Sequence, residues 1–414
     1  MNEQATALMG SAFDLSPDQQ IIFDEADKFC RKELYPLAAR MDNEEWWPED
    51  AFRKIGDQGY FGLTVPEKFG GVGLDFFTSG LVSQAMARWN YALSLSYIAH
   101  ENLCLNNIYR NANDDLRAKY LPDLCSGRAI GALGLTEPGA GSDALGSMRT
   151  TAMLDGSHYV LNGRKIYITN GPVADVLLVY AKTAPERGAH GISAFIVEKD
   201  FPGFRVAQKL IKMGFRGSQT GELVFDDCRV PVENLVGEEN KGVAVVMSGL
   251  DLERAVISPI CVGIAERALE LSIEYAKTRE QFGKPLASFQ MIQSKIADMY
   301  TWVETMKTFC YRVLAAGNEL EVGAGGRGEI HALSAASIMY TANMLNSVLN
   351  EAVQIHGGLG YMWEAEINRL YRSIKLLEIG AGTTEVRKMI IARELLGCRR
   401  PRPPPSCRPA GPAQ

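Results

Sequence analysis

A chain of 414 residues, 46% hydrophobic and 22% charged, is long enough for two or three domains around substantial cores. Its net charge of −6, with no basic stripe, argues against a nucleic-acid partner, and no run of about 18 apolar residues is present to span a membrane. The opening Met1-Asn2-Glu3-Gln4-Ala5-Thr6 reads as neither a signal peptide nor an Arg-rich transit peptide, so a cytoplasmic location is expected, or the mitochondrial matrix for a mature eukaryotic chain. The eight cysteines are scattered without a CxxC pair and suit free thiols in a reducing compartment. The five histidines show no ligand spacing, and no metal site is expected.

From about Pro17 to Gly127 the chain reads as helices. Gln19 to Leu34 places Ile21, Ile22, Ala26, Phe29 and Cys30 at a helical period. Turn chemistry interrupts at Trp46-Trp47-Pro48 and at Pro66 to Gly71. Residues 131 to 235 change character. His158 to Leu161, Asn162-Gly163, then Arg164 to Ile168 predicts a hairpin, and Val176 to Tyr180, Ile192 to Val197 and Glu222 to Phe225 predict further strands. From Gly242 to Leu396 long helical periods return, rich in Ala, Leu, Met and Glu. The order is helices, strands, helices, an α+β chain. Its expected divisions are an N-terminal helical domain over 1–130, a central β domain over 131–240 and a helical bundle over 241–397. A Pro/Arg-rich tail over 398–414 is expected to be disordered.

Within the strand block, Leu133-Gly134-Leu135-Thr136-Glu137-Pro138-Gly139-Ala140-Gly141-Ser142-Asp143 is a short apolar strand running into a turn of Gly, Ser and Thr. Such a turn offers backbone N–H groups and small hydroxyls to a ligand. Lys165-Ile166-Tyr167-Ile168-Thr169-Asn170-Gly171 is a second strand ending in a hydroxyl and an amide, and the two could flank a planar, phosphate-bearing cofactor. A Gly-rich loop alone is more often only a loop. As a pair, these segments resemble the flavin- and thioester-binding strands of the acyl-CoA dehydrogenase family. Lys277 to Pro285 with Phe289-Gln290, then Gln354 to Tyr361, then Leu376 to Arg387 resemble three further family segments in the same order.

The resemblance covers the chain to about residue 397. It implies an N-terminal helical domain, a central β-sandwich or barrel and a C-terminal four-helix bundle. It also implies FAD, held by Leu133, Leu135, Thr136, Gly141, Ser142, Tyr167, Ile168 and Thr169. The set would be completed by Arg279, Phe282, Gln290, Gln354, Ile355, Gly357, Gly358, Thr383, Thr384 and Glu385, with Arg279 and Gln290 reaching across a subunit interface. Ser142, Ala189, His190, Ala244, Asp251, Arg254, Ala381 and Gly382 match substrate-side positions, although Ala189-His190 departs from the family pattern. A homotetramer, an acyl-CoA substrate and an electron-transfer flavoprotein as acceptor are likewise implied.

Oxidising an acyl thioester to its α,β-enoyl form needs a carboxylate for the α-proton while hydride leaves the β-carbon for flavin N5. Most relatives carry that carboxylate directly before the Gly-Thr of the C-terminal loop, where this chain has Ala381. Ser248-Gly249-Leu250-Asp251-Leu252-Glu253-Arg254, expected to start a helix, resembles instead the isovaleryl-CoA dehydrogenase branch, in which the Glu of Leu-Asp-Leu-Glu-Arg is the base. Glu253 is therefore the catalytic candidate, against the bland reading of a first-turn surface carboxylate. Ser96 to Cys104 and Asn170 to Leu177 agree with that branch. Ala244 and Ala255 stand where it has Tyr and Leu, which points to a branched acyl chain of isovaleryl size or longer. An oxidase, a dehydrogenase of a carrier-protein-bound acyl group, and a redox-inactive helical binding protein are the alternatives.

Overall fold

The computed structural model describes residues 15–320 and 327–397. The expected 398–414 tail lies outside the described residues. Helix α1 (Pro17–Phe29) begins with a capping box, in which Ser16 accepts from the Gln19 N–H and the Gln19 side chain accepts from the Ser16 N–H. It runs through a π turn (Cys30–Leu34) into α2 (Tyr35–Glu44), followed by α3 (Ala51–Asp57), α4 (Phe76–Ile98), α5 (Asn106–Asn111) and α6 (Asp114–Cys125). Almost every residue of α4 is buried. A helix apolar all round must be covered all round, and α4 packs between α1 and α2 on one side and the long C-terminal helix α7 (Gly242–Thr278) on the other.

Helices α8 (Gln290–Asn318), α9 (Glu329–His356) and α12 (Thr384–Leu396) complete a four-helix packing with α7, and the short α10 (Glu366–Ser373) and α11 (Lys375–Ile379) precede α12. One continuous apolar core runs from Ala26 and Met86 through Val256 and Ile260 to Leu345 and Leu377, so both helical blocks share it. Among the described residues no helix is long and apolar enough to cross a membrane. The six described cysteines are buried free thiols.

Between the helical blocks lie β1 (Gly131–Gly134), β2 (Thr151–Asp155), β3 (His158–Thr169), β4 (Val176–Lys182), β5 (Ile192–Glu198), β6 (Phe204–Lys209), β7 (Thr220–Pro231) and β8 (Leu235–Val236). They form one sheet in the order β6-β7-β3-β2-β4-β5-β8, with β1 running parallel to β4. The sheet curls on itself: Tyr159 of β3 meets Phe195 of β5 at 4.9 Å between ring centroids, although two strands separate them in the sheet. A second apolar core, including Leu161, Leu177, Val197 and Leu223, fills the curl.

The hairpin expected at Asn162-Gly163 is not there. β3 is a single twelve-residue strand, and the tight turn is Gly156-Ser157, which pairs Asp155 with His158. Asn162-Gly163 instead faces a β-bulge in β7. Leu161 pairs with Cys228 and Gly163 with Phe225, and the Asn162 amide holds the extra Asp227 through two hydrogen bonds of 2.8 and 3.0 Å. The glycine is needed for clearance, since a Cβ on Gly163 would lie 2.4 Å from the Thr150 hydroxyl. Gly163→Ala should therefore lower stability by about 1–3 kcal/mol, read as a fall in the urea midpoint.

The helical block is fastened to the sheet by polar groups in the segments that carry the resemblance. His100 Nδ1 accepts from the Gly131 N–H at 2.8 Å, and its Nε2 donates to the Leu124 carbonyl. Burial pulls this imidazole down to about 4, so it stays neutral at pH 7 and can accept. The Asn170 amide donates to the Ser96 and Gly131 carbonyls, and Glu101 accepts from the N–H groups of Gly62 and Leu63. The contacts to Gly131 fix where β1 begins, and so place the turn that follows it, while Glu101 braces the helical block internally.

Candidate active site

β1 runs into the turn Glu137–Ala140, whose ends bond each other, and the Ile166 N–H donates to the Thr136 carbonyl at 2.9 Å. Glu137 turns inward. It accepts from the Arg149 N–H, from the Thr150 N–H and hydroxyl, and from Lys165 Nζ at 2.8 Å. Lys165, fully buried, also donates to the Leu135 carbonyl. Burial draws its ammonium down to about 8, with Glu137 opposing. Burial also pushes the Glu137 carboxyl up, but Lys165 and the three other donors outweigh it and hold the carboxyl below its usual range. Neither residue was a sequence-level candidate, because nothing in their spacing announces a pair formed across 28 positions.

The expected cofactor residues of the two strand segments lie at or beside this braced turn, while those at the end of α9 lie near the end of α7, where His356 stacks on Tyr275. Thr136 and Thr169 are partly exposed, and Gly141 and Ser142 are exposed. Tyr167 is held at a left-handed φ of 62° with 68% of its surface open. Leu133 is half-buried, whereas Leu135 and Ile168 are buried, so contact there falls to the backbone. At the end of α9, Gly357 and Gly358 have open space where a Cβ would sit, and Gln354 is exposed. Ile355 is buried in the core, which leaves it only its main chain as a contact. Small hydroxyls, bare glycine backbone and an exposed aromatic ring fit a planar, phosphate-bearing group.

Arg279, Phe282 and Gln290 stand apart. They lie on or beside a small hairpin (β9 Glu280–Gln281, β10 Lys284–Pro285) between α7 and α8, all exposed, with Phe282 at 94%. Their contacts are local: the Leu286 N–H donates to the Arg279 carbonyl, and the rings of Phe282 and Phe289 meet edge to face. An almost bare phenylalanine at a hairpin tip suits a surface that another subunit covers.

Glu253 lies well inside α7, eleven residues from its start at Gly242, and not in a first turn. The helix-dipole reading of this carboxylate therefore fails along with the expected helix start at Ser248. Glu253 is buried, and among the described residues no hydrogen bond reaches its carboxylate. Burial raises its pKa to about 7, against the partial pull of Arg254 and Arg387.

The loop between α11 and α12 comes to the same place. Arg254 Nε donates to the Ala381 carbonyl at 3.1 Å, and Arg387 Nη2 donates to the carbonyls of Leu377 and Gly380. Ala381 and Gly382 have φ of 54° and 96°. Thr383 caps α12 by accepting from the Val386 N–H, Thr384 donates to the Glu378 carbonyl, and Glu385 is exposed. Arg387 is fully buried, and among the described residues its Nε and Nη1 have no hydrogen-bond partner. No local pattern marks Arg387, the last residue of the segment Leu376–Arg387.

The substrate-side positions divide. Ser142, His190 and Ala244 are exposed, with Ala189 partly so. Arg254 and Asp251 are buried and bonded to each other. Ala255 is completely buried, and at about 100° per helical residue it points roughly 200° away from Glu253 around α7. Its small side chain opens no space beside the carboxylate, and the expectation of a longer acyl chain loses that support. Ala244, nine residues before Glu253, also falls on the far face of the helix. Ile257, one turn beyond Glu253 on its own face, is the bulky neighbour there.

Profiles of the acyl-CoA dehydrogenase N-terminal, middle and C-terminal domains match residues 16–128, 132–228 and 240–396. The chain is 43% identical over 395 residues to the mitochondrial isovaleryl-CoA dehydrogenase of Oryza sativa subsp. japonica, covering 94% of this chain and 95% of that one. Its fold is similar to a chain solved in work on the electron transferring flavoprotein of Acidaminococcus fermentans. There the TM-score is 0.89 and the identity 38%, over 93% of this chain and all of that one. It is also similar to PigA with FAD and proline, with a TM-score of 0.87 and 32% identity over 93% of this chain and 99% of that one. With its three domains matched in order, the chain belongs to the acyl-CoA dehydrogenase family of flavoprotein oxidoreductases.

Proposed function

We propose that this protein is an FAD-dependent dehydrogenase of a branched-chain acyl-CoA of the isovaleryl kind, with Glu253 as the base for the α-proton. The observation that carries the reading is a buried Glu253 under the charge of Arg254 and Arg387, the two residues that bond the carbonyls of Ala381 and Gly380. Burial raises this carboxyl to about 7, and the loop held by its neighbour Arg254 supplies no carboxylate of its own. A base tuned near working pH combines a large ionised fraction with real affinity for a carbon-bound proton. Bound FAD would supply the two-electron acceptor for the hydrogen leaving the β-carbon.

The chain's own residues do the rest. Thr136, Ser142 and Thr169, with the bare backbone at Gly141, Gly357 and Gly358, hold and orient the cofactor. Arg254 and Arg387 hold the loop, and their positive charge favours ionised Glu253. Arg279, Phe282 and Gln290 serve the site of a neighbouring subunit in a homotetramer, which accounts for their exposure here. An electron-transfer flavoprotein is the acceptor, in keeping with the similarity to a chain from work on one.

Anaerobic mixing of the purified flavoprotein with a panel of acyl-CoAs tests the reading. Isovaleryl-CoA should bleach the flavin fastest, ahead of straight-chain and longer branched thioesters. Bleaching by none of them would overturn the proposed reaction, and a faster long-chain thioester would overturn the size assignment.

A further inference from the structure

His331 has no part in the motifs or in the chemistry assigned above. It sits in the first turn of α9, buried, with Nδ1 2.6 Å from Asp251 Oδ1. The same carboxylate oxygen accepts from Arg254 Nη1 at 3.2 Å, and Arg254 Nε donates to the Ala381 carbonyl at 3.1 Å. An ionised carboxylate only accepts, so the hydrogen of the shorter contact belongs to Nδ1. The contacts form one line: α9 to α7 through His331 and Asp251, then α7 to the loop through Arg254 and Ala381.

The end of that line is a strained residue. Ala381 has a φ of 54°, a left-handed conformation that costs a residue with a Cβ about 1–2 kcal/mol. Such a conformation persists only where its surroundings enforce it. Arg254 can enforce it only if its guanidinium is aimed, with one nitrogen on Asp251 and another on the Ala381 carbonyl. Asp251 can aim it only if its own carboxylate cannot rotate. His331 supplies that restraint from a different helix.

We propose that His331 is a positioning residue of the active site, acting through Asp251 and Arg254 to hold the Gly380–Thr383 loop in its left-handed form beside Glu253. The proposal rests on the reading of Glu253 as the base. Residues that orient a functional side chain in this indirect way typically change activity by about 10–100-fold when removed.

The test compares His331→Leu, His331→Asn and His331→Gln in the flavin-loaded protein. Steady-state kinetics with isovaleryl-CoA and an artificial acceptor is read together with hydrogen–deuterium exchange over residues 376–387. Asn keeps an N–H donor near the place of Nδ1, whereas Gln moves it to the place of Nε2 and Leu removes it. His331→Leu and His331→Gln should lower kcat by about 10–100-fold with a much smaller change in KM, and should speed amide exchange in the loop. His331→Asn should restore both readouts toward the parent. If Leu prevents folding, the Gln and Asn pair decides alone.

Unchanged kcat and loop exchange in folded His331→Gln would overturn the proposal, as would equal impairment of Gln and Asn. Glu253→Gln measured alongside separates this failure from that of the larger reading. An active Glu253→Gln would remove the base assignment, while loop exchange in the His331 variants would still report whether His331 positions the loop.

Discussion

Replacing Glu253 with Gln leaves a folded, flavin-binding protein that binds acyl-CoA but oxidises it more slowly by on the order of 10³-fold. The substitution keeps the shape of the side chain and removes its basicity. Folding should not suffer, because burial makes the ionised carboxylate costly and a neutral amide avoids that cost. The pH dependence carries a second signature. With Glu253 raised to about 7, kcat/KM of the parent should climb as pH rises through 7 and the carboxyl ionises. The variant should lack that limb.

Adding Ala381→Glu to Glu253→Gln moves a carboxylate to the position that most relatives use. Recovery should be partial, since the new side chain inherits a φ of 54°. Glu253→Gln turning over at close to the parental rate would refute the assignment of the base.

Much of the fold around this candidate site is legible in the chain, and the departures share a cause. The strand and turn around Leu133–Ser142, the return of helices at Gly242 and the Glu253/Ala381 exchange all lie in short contiguous segments. Asn162-Gly163 reads as a turn because the dipeptide favours one. Its role as the partner of a bulge depends on Asp227, 65 residues away in β7. The helix was expected to begin at Ser248, but the apolar surroundings of α7 extend it back to Gly242, and this moves Glu253 from a first turn to the interior.

Ala255 shows the effect of helical phase: two positions from Glu253 is close in sequence and on the opposite face in space. His331 and Arg387 are silent in the sequence for a different reason. Their significance lies in which carboxylate or carbonyl they meet, and no local pattern encodes that.

Lys165→Met should destabilise the protein by roughly 3–5 kcal/mol, the usual consequence of leaving one partner of a buried ion pair alone. Lys165 and Glu137 are both buried, and Lys165 Nζ bridges Glu137 and the Leu135 carbonyl on the two sides of Thr136. Met fills comparable space and donates nothing. The Glu137 carboxylate then keeps its bonds to Arg149 and Thr150 but loses its only cation among the described residues.

The sign of the pH dependence should invert. In the parent the folded carboxyl is held below its usual range, so the stability it contributes is present above the unfolded carboxylate pKa and lost as pH falls through the folded one. Without Lys165, burial is less opposed and raises that carboxyl, so the variant should recover stability relative to the parent as pH falls from 7 toward 5. Glu137→Gln added to Lys165→Met should recover part of the loss at pH 7, because no uncompensated charge remains. Since the pair braces the turn carrying Thr136, Gly141 and Ser142, flavin retention on gel filtration should fall in the single variant. Urea unfolding at pH 7 and pH 5 reads the stability changes. A single variant within 1 kcal/mol of the parent at pH 7, with its flavin retained, would show that the turn does not depend on this pair.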